Sequence, residues 1–293
     1  MTPLPDTRAD LVSMTHPELE RFLTDLGKER YRATQVMKWI HQGLTESFQS
    51  MTNLSKSFRE EISTRALIQF PEVLKILESN DGTTKFLLGL RDGCAIESVL
   101  IPGDDHDTLC ISTQVGCSMG CRICRTARRG LVRNLTAGEI VSQLLVIRRM
   151  EPERRITNIV FMGMGEPLAN FANTVKAIRI LTHPHGPQIS WRHVTVSTCG
   201  LVPGIRDLGR QVKAKLAVSL NAVTDEQRIR AKVNLIPLND GAVTDFTAPA
   251  PERVQRFQDI LMSRSLVTIV RRSRGQDILA ACGQLAGEGI ATR

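Results

Sequence analysis

Residues 110–130 of this 293-residue chain read CISTQVGCSMGCRICRTARRG, with Cys117, Cys121 and Cys124 separated by three and then two residues. Thiols gathered this closely in one loop suggest metal ligation. A structural zinc site closes on four ligands, and the nearest candidate for a fourth is His106, upstream of the loop and one of only six histidines. Ferredoxin-type 4Fe–4S clusters also take four cysteines. Three thiolates on such a cluster leave one iron without a protein ligand, which makes sense where a substrate completes the coordination. The cluster is the preferred reading, zinc the second, and a structural group of thiols the last. The remaining cysteines are Cys94, Cys110, Cys199 and Cys282, an odd total of seven. A reducing compartment disfavours structural disulfides, so these thiols are expected as ligands or reactants.

Such residues need a scaffold. From residue 110 onward, LCISTQV, NIVFMGM, HVTVSTC, KLAVSLN and KVNLIPL read as strands, and TAGEIVSQLLVIRRM and TVKAIRILT as helices. Continuous apolar strands alternating with helices predict an α/β fold with a parallel sheet covered by helices. Each strand ends in small or polar residues: Ser112, Gly163 to Glu166, Ser197 and Thr198, Ser219 and Asn221, and Asn239. In a β/α barrel the strand C-termini carry the active site, so five such ends predict a working rim; small polar residues that merely end strands are the plainer alternative. Upstream, VLKILES, TKFLLGL and AIESVLI are β-like runs separated by Asn-Asp-Gly and Arg-Asp-Gly turns. Residues 8–70 carry helical periodicity, with Leu19, Phe22, Leu23, Leu26, Val36, Trp39 and Ile40 on apolar faces and a helix end at Leu26-Gly27. The predicted division is a small helical domain over residues 1–74 and a larger one over 75–293.

A net charge of +8 and a pI near 9.4 point to a polyanionic partner, nucleic acid before membrane. Aromatic residues are only 4% of the chain, so base stacking is a minor theme. No apolar run approaches the roughly 20 residues of a membrane span. The N-terminus lacks the basic stretch and apolar core of a secretory signal. A cytoplasmic protein with no membrane partner is expected.

CxxxCxxC at the first strand of a β/α barrel resembles the signature of the radical SAM superfamily. There S-adenosylmethionine chelates the open iron, and the reduced cluster cleaves it to a 5′-deoxyadenosyl radical. GMGEP (163–167) follows an apolar strand where that superfamily contacts the SAM amino group. With QVGC, RNL (133–135), VSTCG (196–200), SLNA (219–222), NLIPLN (234–239) and CGQLAG (282–287) in order, the chain resembles the RlmN family, dual-specificity adenine methyltransferases of 23S rRNA and tRNA. The resemblance runs from about residue 17 to the C-terminus, with one interruption.

The resemblance implies a 4Fe–4S cluster on Cys117, Cys121 and Cys124, with SAM as cosubstrate. The target is carbon 2 of an adenine, an electron-poor amidine carbon that ordinary methyl transfer cannot use as a nucleophile. Cys282 matches the cysteine methylated first; after hydrogen abstraction its carbon radical adds to the adenine. Cys110 matches the cysteine that releases the product through a transient disulfide, and Glu97 the base that removes the proton. Gly165, Glu166, Ser197, Ser219, Leu220, Asn221 and Asn239 match the SAM contacts, with Asn221 standing where many members have histidine. Arg122, Arg125, Arg128, Arg129 and Arg133, then Arg271, Arg272 and Arg274, are expected to offer salt-dependent phosphate contacts or else a solvated basic face. Cys94 and Cys199 are expected to be structural. An electron donor such as flavodoxin or ferredoxin is implied.

One departure stands out. Between Arg230 and Ala231 the family carries roughly sixty more residues, about two β/α units. The expectation is a partial (β/α) radical SAM barrel of the six-stranded type with one strand missing, preceded by the N-terminal helical domain. Two alternatives differ in function: a sister enzyme acting on carbon 8 of the adenine, and a catalytically impaired remnant that binds only RNA or cluster.

Overall fold

A computed structural model describes residues 7–219, 233–239, 248–263, 268–271 and 273–286. Leu220, Asn221, Arg272 and the Arg230–Ala231 junction lie outside the described residues.

Three helices, α1 (His16–Asp25), α2 (Tyr31–His41) and α3 (Lys56–Arg65), open the fold. Leu19, Leu23, Val36, Met37, Ile40, Phe58 and Ile62 are buried because spacings of three and four residues set them on the helices' inner faces. As expected, α1 stops at Leu26, and Gly27 turns the chain with φ of 70°. The core is continuous from these helices into the sheet.

The upstream β-runs form an antiparallel meander of β1 (Glu72–Glu78), β2 (Thr84–Gly89) and β3 (Ala95–Ile101). Their turns use Gly82 and Gly93 at positive φ. The predicted division at residues 74 and 75 falls inside β1. The meander continues directly into the parallel part, through β4 (Asp107–Cys110), β5 (Ile156–Phe161), β6 (Val194–Thr198) and β7 (Lys215–Val218). The result is one seven-stranded sheet whose spatial order equals its chain order, antiparallel up to β4 and parallel beyond it.

Helices α4 (Ala137–Met150), α5 (Phe171–Leu181) and α6 (Val202–Gln211) supply the crossovers. A capping box starts α4: Thr136 Oγ1 accepts the Glu139 amide at 3.1 Å, and Glu139 Oε2 accepts the Thr136 amide at 2.8 Å. The N-terminal segment docks on this helix start. A Cβ at Gly138 would lie 2.4 Å from both Asp10 Oδ2 and Ser13 Oγ, so only glycine permits the approach.

The fifth expected strand differs from its prediction. Residues Val233–Leu235 (β8) pair in parallel with Thr268–Val270 (β9), which the sequence pattern did not reveal, and this pair stands apart from the large sheet. Between them lies α7 (Pro251–Ser263). Among the described residues nothing pairs with the outer edge of β7. Parallel strands are normally buried on both faces, yet Leu216 and Val218 of β7 are each 44% exposed.

Candidate active site at the strand C-termini

The three-cysteine loop leaves the C-terminal end of β4. Gln114–Gly116 pairs antiparallel with Leu131–Asn134 and closes the loop at its base. Gly116 has φ of 76°, and a Cβ there would fall 1.9 Å from the Gly130 carbonyl. The Cys117 amide donates to that carbonyl at 2.9 Å, and the Cys124 amide to the Cys121 carbonyl at 3.0 Å. The thiols influence one another: burial raises those of Cys117 and Cys121, and neighbouring Cys124 adds to both. Among the described residues no three His, Cys, Asp or Glu side chains converge where one ion could sit. A tetrahedral zinc needs such convergence; a cubane cluster gives each thiolate its own iron and accepts a wider triangle. His106 precedes β4, at the strand's other end, against His193. The donor set therefore fits a three-cysteine cluster.

The GMGEP loop packs beside this one. Gly165 has φ of 99° and a virtual Cβ 2.6 Å from that of Gln114, so glycine is required. Glu166 is buried, and its amide donates to Gln114 Oε1 at 2.8 Å. Its carboxylate accepts the Leu168 amide at 3.0 Å and the Cys199 amide at 2.9 Å. Glu166 thus staples the end of β5 to the end of β6. Ser197 and Ser219 meet at 3.4 Å between their hydroxyls across β6 and β7. Ser112 serves the scaffold: it is buried, with its hydroxyl on the Glu97 carbonyl at 2.7 Å. At that rim position the plainer alternative holds.

The third component is the segment around Cys282. The Gly283 carbonyl accepts the Arg125 amide at 2.8 Å, and the Leu285 carbonyl accepts the Thr126 hydroxyl at 2.6 Å, so the segment lies on the cluster loop. The Cys282 carbonyl accepts the Asn239 amide group at 3.2 Å, and Gln276 donates to Asn239 Oδ1 at 2.7 Å. On the sheet, Lys85 pairs with Val99 and Val99 with Cys110. The two-residue strand repeat puts Glu97 on the same face as this row. Glu97 Oε2 accepts the Ala286 amide at 2.6 Å, and Oε1 lies 3.1 Å from Lys85 Nζ. Burial pushes the Cys110 thiol well above the usual range, and Cys282 adds to this. Crowding by protein also raises the Cys282 thiol, although its residue reaches the surface. All seven cysteines are free thiols.

The structure thus brings Cys110, Cys282, Cys124, Glu97 and Asn239 to one place, next to Gly165 and Glu166 on the cluster loop's other side. Two expected arginines are committed elsewhere. Arg133 forks onto Glu139 at 2.7 and 2.8 Å and reaches Asp92 at 2.6 Å. Arg274 donates to the Pro102 carbonyl at 3.1 Å. Arg128 and Arg271 are exposed. The sulfur of Cys199, expected to be structural, lies 3.3 Å from Met119 Sδ in the cluster loop, and burial followed by Glu166 raises its thiol to about 11. Lys85 escaped the sequence reading; a lone charge within the apolar run TKFLLGL was the available signal.

Comparisons with known proteins agree with this geometry. Residues 9–68 match the ribosomal RNA large subunit methyltransferase N-terminal domain, and residues 111–240 match the radical SAM superfamily. The chain is 45% identical to a dual-specificity RNA methyltransferase RlmN of Syntrophotalea carbinolica, covering 97% of this chain and 91% of that protein. It is 43% identical to the RlmN of Geotalea uraniireducens, covering 96% and 97%. The crystal structure of a radical SAM methyltransferase from Sphaerobacter thermophilus superimposes with a TM-score of 0.88 at 37% identity, covering 96% of this chain and 100% of that one. The Syntrophotalea alignment spans 342 positions although this chain has 293 residues, so that relative carries residues this chain lacks. The chain belongs to the RlmN family of the radical SAM superfamily.

Proposed function

We propose that this protein methylates carbon 2 of a specific adenosine in 23S rRNA and in tRNA through a methylcysteine intermediate. It is a SAM-dependent RNA methyltransferase that uses a 4Fe–4S cluster and S-adenosylmethionine. When bound, these supply the methyl group and the radical that ordinary polar chemistry cannot provide at an amidine carbon. Cys117, Cys121 and Cys124 hold the cluster. Gly165, Glu166, Ser197, Ser219, Leu220, Asn221 and Asn239 line the cosubstrate site. Cys282 carries the methyl group to the adenine, Glu97 takes the proton from carbon 2, and Cys110 attacks the Cys282 sulfur to free the product.

One observation carries this reading. The Cys282 segment rests on the cluster loop through Gly283 and Leu285 and on Glu97 through Ala286, while Cys282 adds to the burial that raises the Cys110 thiol. A carrier must reach methyl donor, base and resolving thiol in turn, and this segment touches the neighbourhood of all three. The dual-specificity relatives favour carbon 2 over the carbon-8 alternative. Residues 1–74 form the RNA-binding accessory domain and residues 75–293 the catalytic one. Flavodoxin or ferredoxin delivers the electron. No helix among the described residues is long and apolar enough to cross a membrane, and the protein acts in the cytoplasm. The test is mass spectrometry of the peptide containing AACGQLAG after anaerobic exposure to SAM and reductant. A methylated Cys282 is expected; an unmodified thiol under turnover conditions sinks the carrier role.

A further inference from the structure

Lys85 has no part in the proposed chemistry, yet it sits against two of the groups that carry it. It lies on β2 opposite Val99 and is 8% exposed, although lysine is almost never buried without a partner. Its ammonium lies 3.1 Å from Glu97 Oε1 and donates to the Leu279 carbonyl at 3.1 Å. The other Glu97 oxygen accepts the Ala286 amide at 2.6 Å. Cys282 stands between Leu279 and Ala286, so the buried ion pair grips its segment on both sides. We propose that Lys85 is a positioning residue: it clasps the Cys282 segment in register with the Glu97 carboxylate, so that carrier and base face one substrate. This rests on the roles proposed for Glu97 and Cys282.

A separate anchor makes the clasp testable. Ser79 Oγ donates to Asp277 Oδ1 at 2.6 Å, and the Gly275 amide donates to Asp81 Oδ2 at 3.0 Å. These bonds hold residues 275–277 without Lys85, so losing the lysine should free residues 279–286 alone. A lysine that merely stabilised the meander would loosen β1 to β3 together.

The experiment uses the full chain with its cluster reconstituted anaerobically, without SAM or RNA. Amide hydrogen exchange and iodoacetamide alkylation of Cys282 are followed in the parent, Lys85→Met, Lys85→Arg and the double variant Lys85→Met/Glu97→Gln. The double variant removes both members of the buried Lys85–Glu97 pair and serves if the single one does not fold. In Lys85→Met, amides of residues 279–286 should exchange roughly ten- to a hundredfold faster and Cys282 should alkylate correspondingly faster, with β2, β3 and residues 275–277 near parent rates. Lys85→Arg, which keeps the positive charge and offers several N–H donors, should restore the parent alkylation rate. The proposal is overturned by unchanged protection and alkylation on losing the lysine, by loosening spread evenly over β1 to β3, or by an arginine variant that behaves as the methionine one. No readout requires turnover, so failure here leaves the methyl-transfer reading standing, and an inactive chain leaves this test intact.

Discussion

Replacing Glu166 by Gln separates a structural role of this carboxylate from cosubstrate binding. Glu166 is 4% exposed, so solvent screens its bonds little. Its two oxygens accept the Leu168 and Cys199 amides at 3.0 and 2.9 Å. Glutamine offers one oxygen and one NH2 group, so one backbone amide loses its acceptor and meets a donor instead. Hydrogen bonds to a charged acceptor contribute about 1.5–3 kcal/mol each, and an orphaned buried amide costs about 1–3 kcal/mol. With some relaxation of the loop, Glu166→Gln should cost roughly 2–4 kcal/mol of stability. The assay is urea unfolding followed by circular dichroism in reducing buffer, without cluster or cosubstrate. A loss below about 1 kcal/mol would refute the reasoning, because the staple between β5 and β6 would then contribute less than one ordinary buried hydrogen bond.

Three further outcomes are expected. Replacing Cys117, Cys121 or Cys124 by Ala should abolish the brown chromophore and SAM cleavage, and a full iron load in any of the three contradicts the cluster assignment. Cys110→Ala should stall with RNA covalently attached to Cys282, whereas Cys282→Ala should give no adduct on a denaturing gel of labelled RNA; attached RNA in the second variant, or normal turnover in the first, refutes these roles. His41 is buried with Nδ1 unpartnered, and burial followed by His183 lowers it from 6.5 to about 3. The fold therefore favours neutral imidazole, so stability is full above about pH 6.5 and falls as pH drops toward 3, by about 1.4 kcal/mol per pH unit from this group. Urea midpoints at pH 7.5 and 5.5 should show this drop in the parent and a smaller one in His41→Phe; equal drops contradict it.

Much of the site was legible because it is local in sequence. The three-cysteine loop, the GMGEP turn and the Asn-Asp-Gly and Arg-Asp-Gly turns each fix their geometry within a few residues, and the structure keeps them. The alternation of strand and helix from residue 110 was equally readable, since period and length suffice to assign those elements. What escaped depends on distant partners. Arg133 reads as one of a basic run, and only the fold shows Asp92 and Glu139 in reach of it. Lys85 reads as an interruption of an apolar strand, and its meaning comes from residues 279 and 97. The three-residue β9 is too short for a periodic signal, and its partner β8 lies 35 residues upstream. The gap expected at Arg230–Ala231 rests on a family pattern alone; its counterpart among the comparisons is a 342-position alignment to a chain of 293 residues.

The central claim is that this chain delivers a methyl group to carbon 2 of adenine through its own cysteine. The most direct measurement is anaerobic incubation of the reconstituted protein with methyl-deuterated SAM, reductant and unmodified 23S rRNA fragments, followed by nucleoside mass spectrometry. Because the methyl carbon passes through Cys282 and loses one hydrogen before joining the base, the product should be 2-methyladenosine in which one of the three methyl deuteriums is replaced. A product at carbon 8, or an intact trideuterated methyl group, would contradict it.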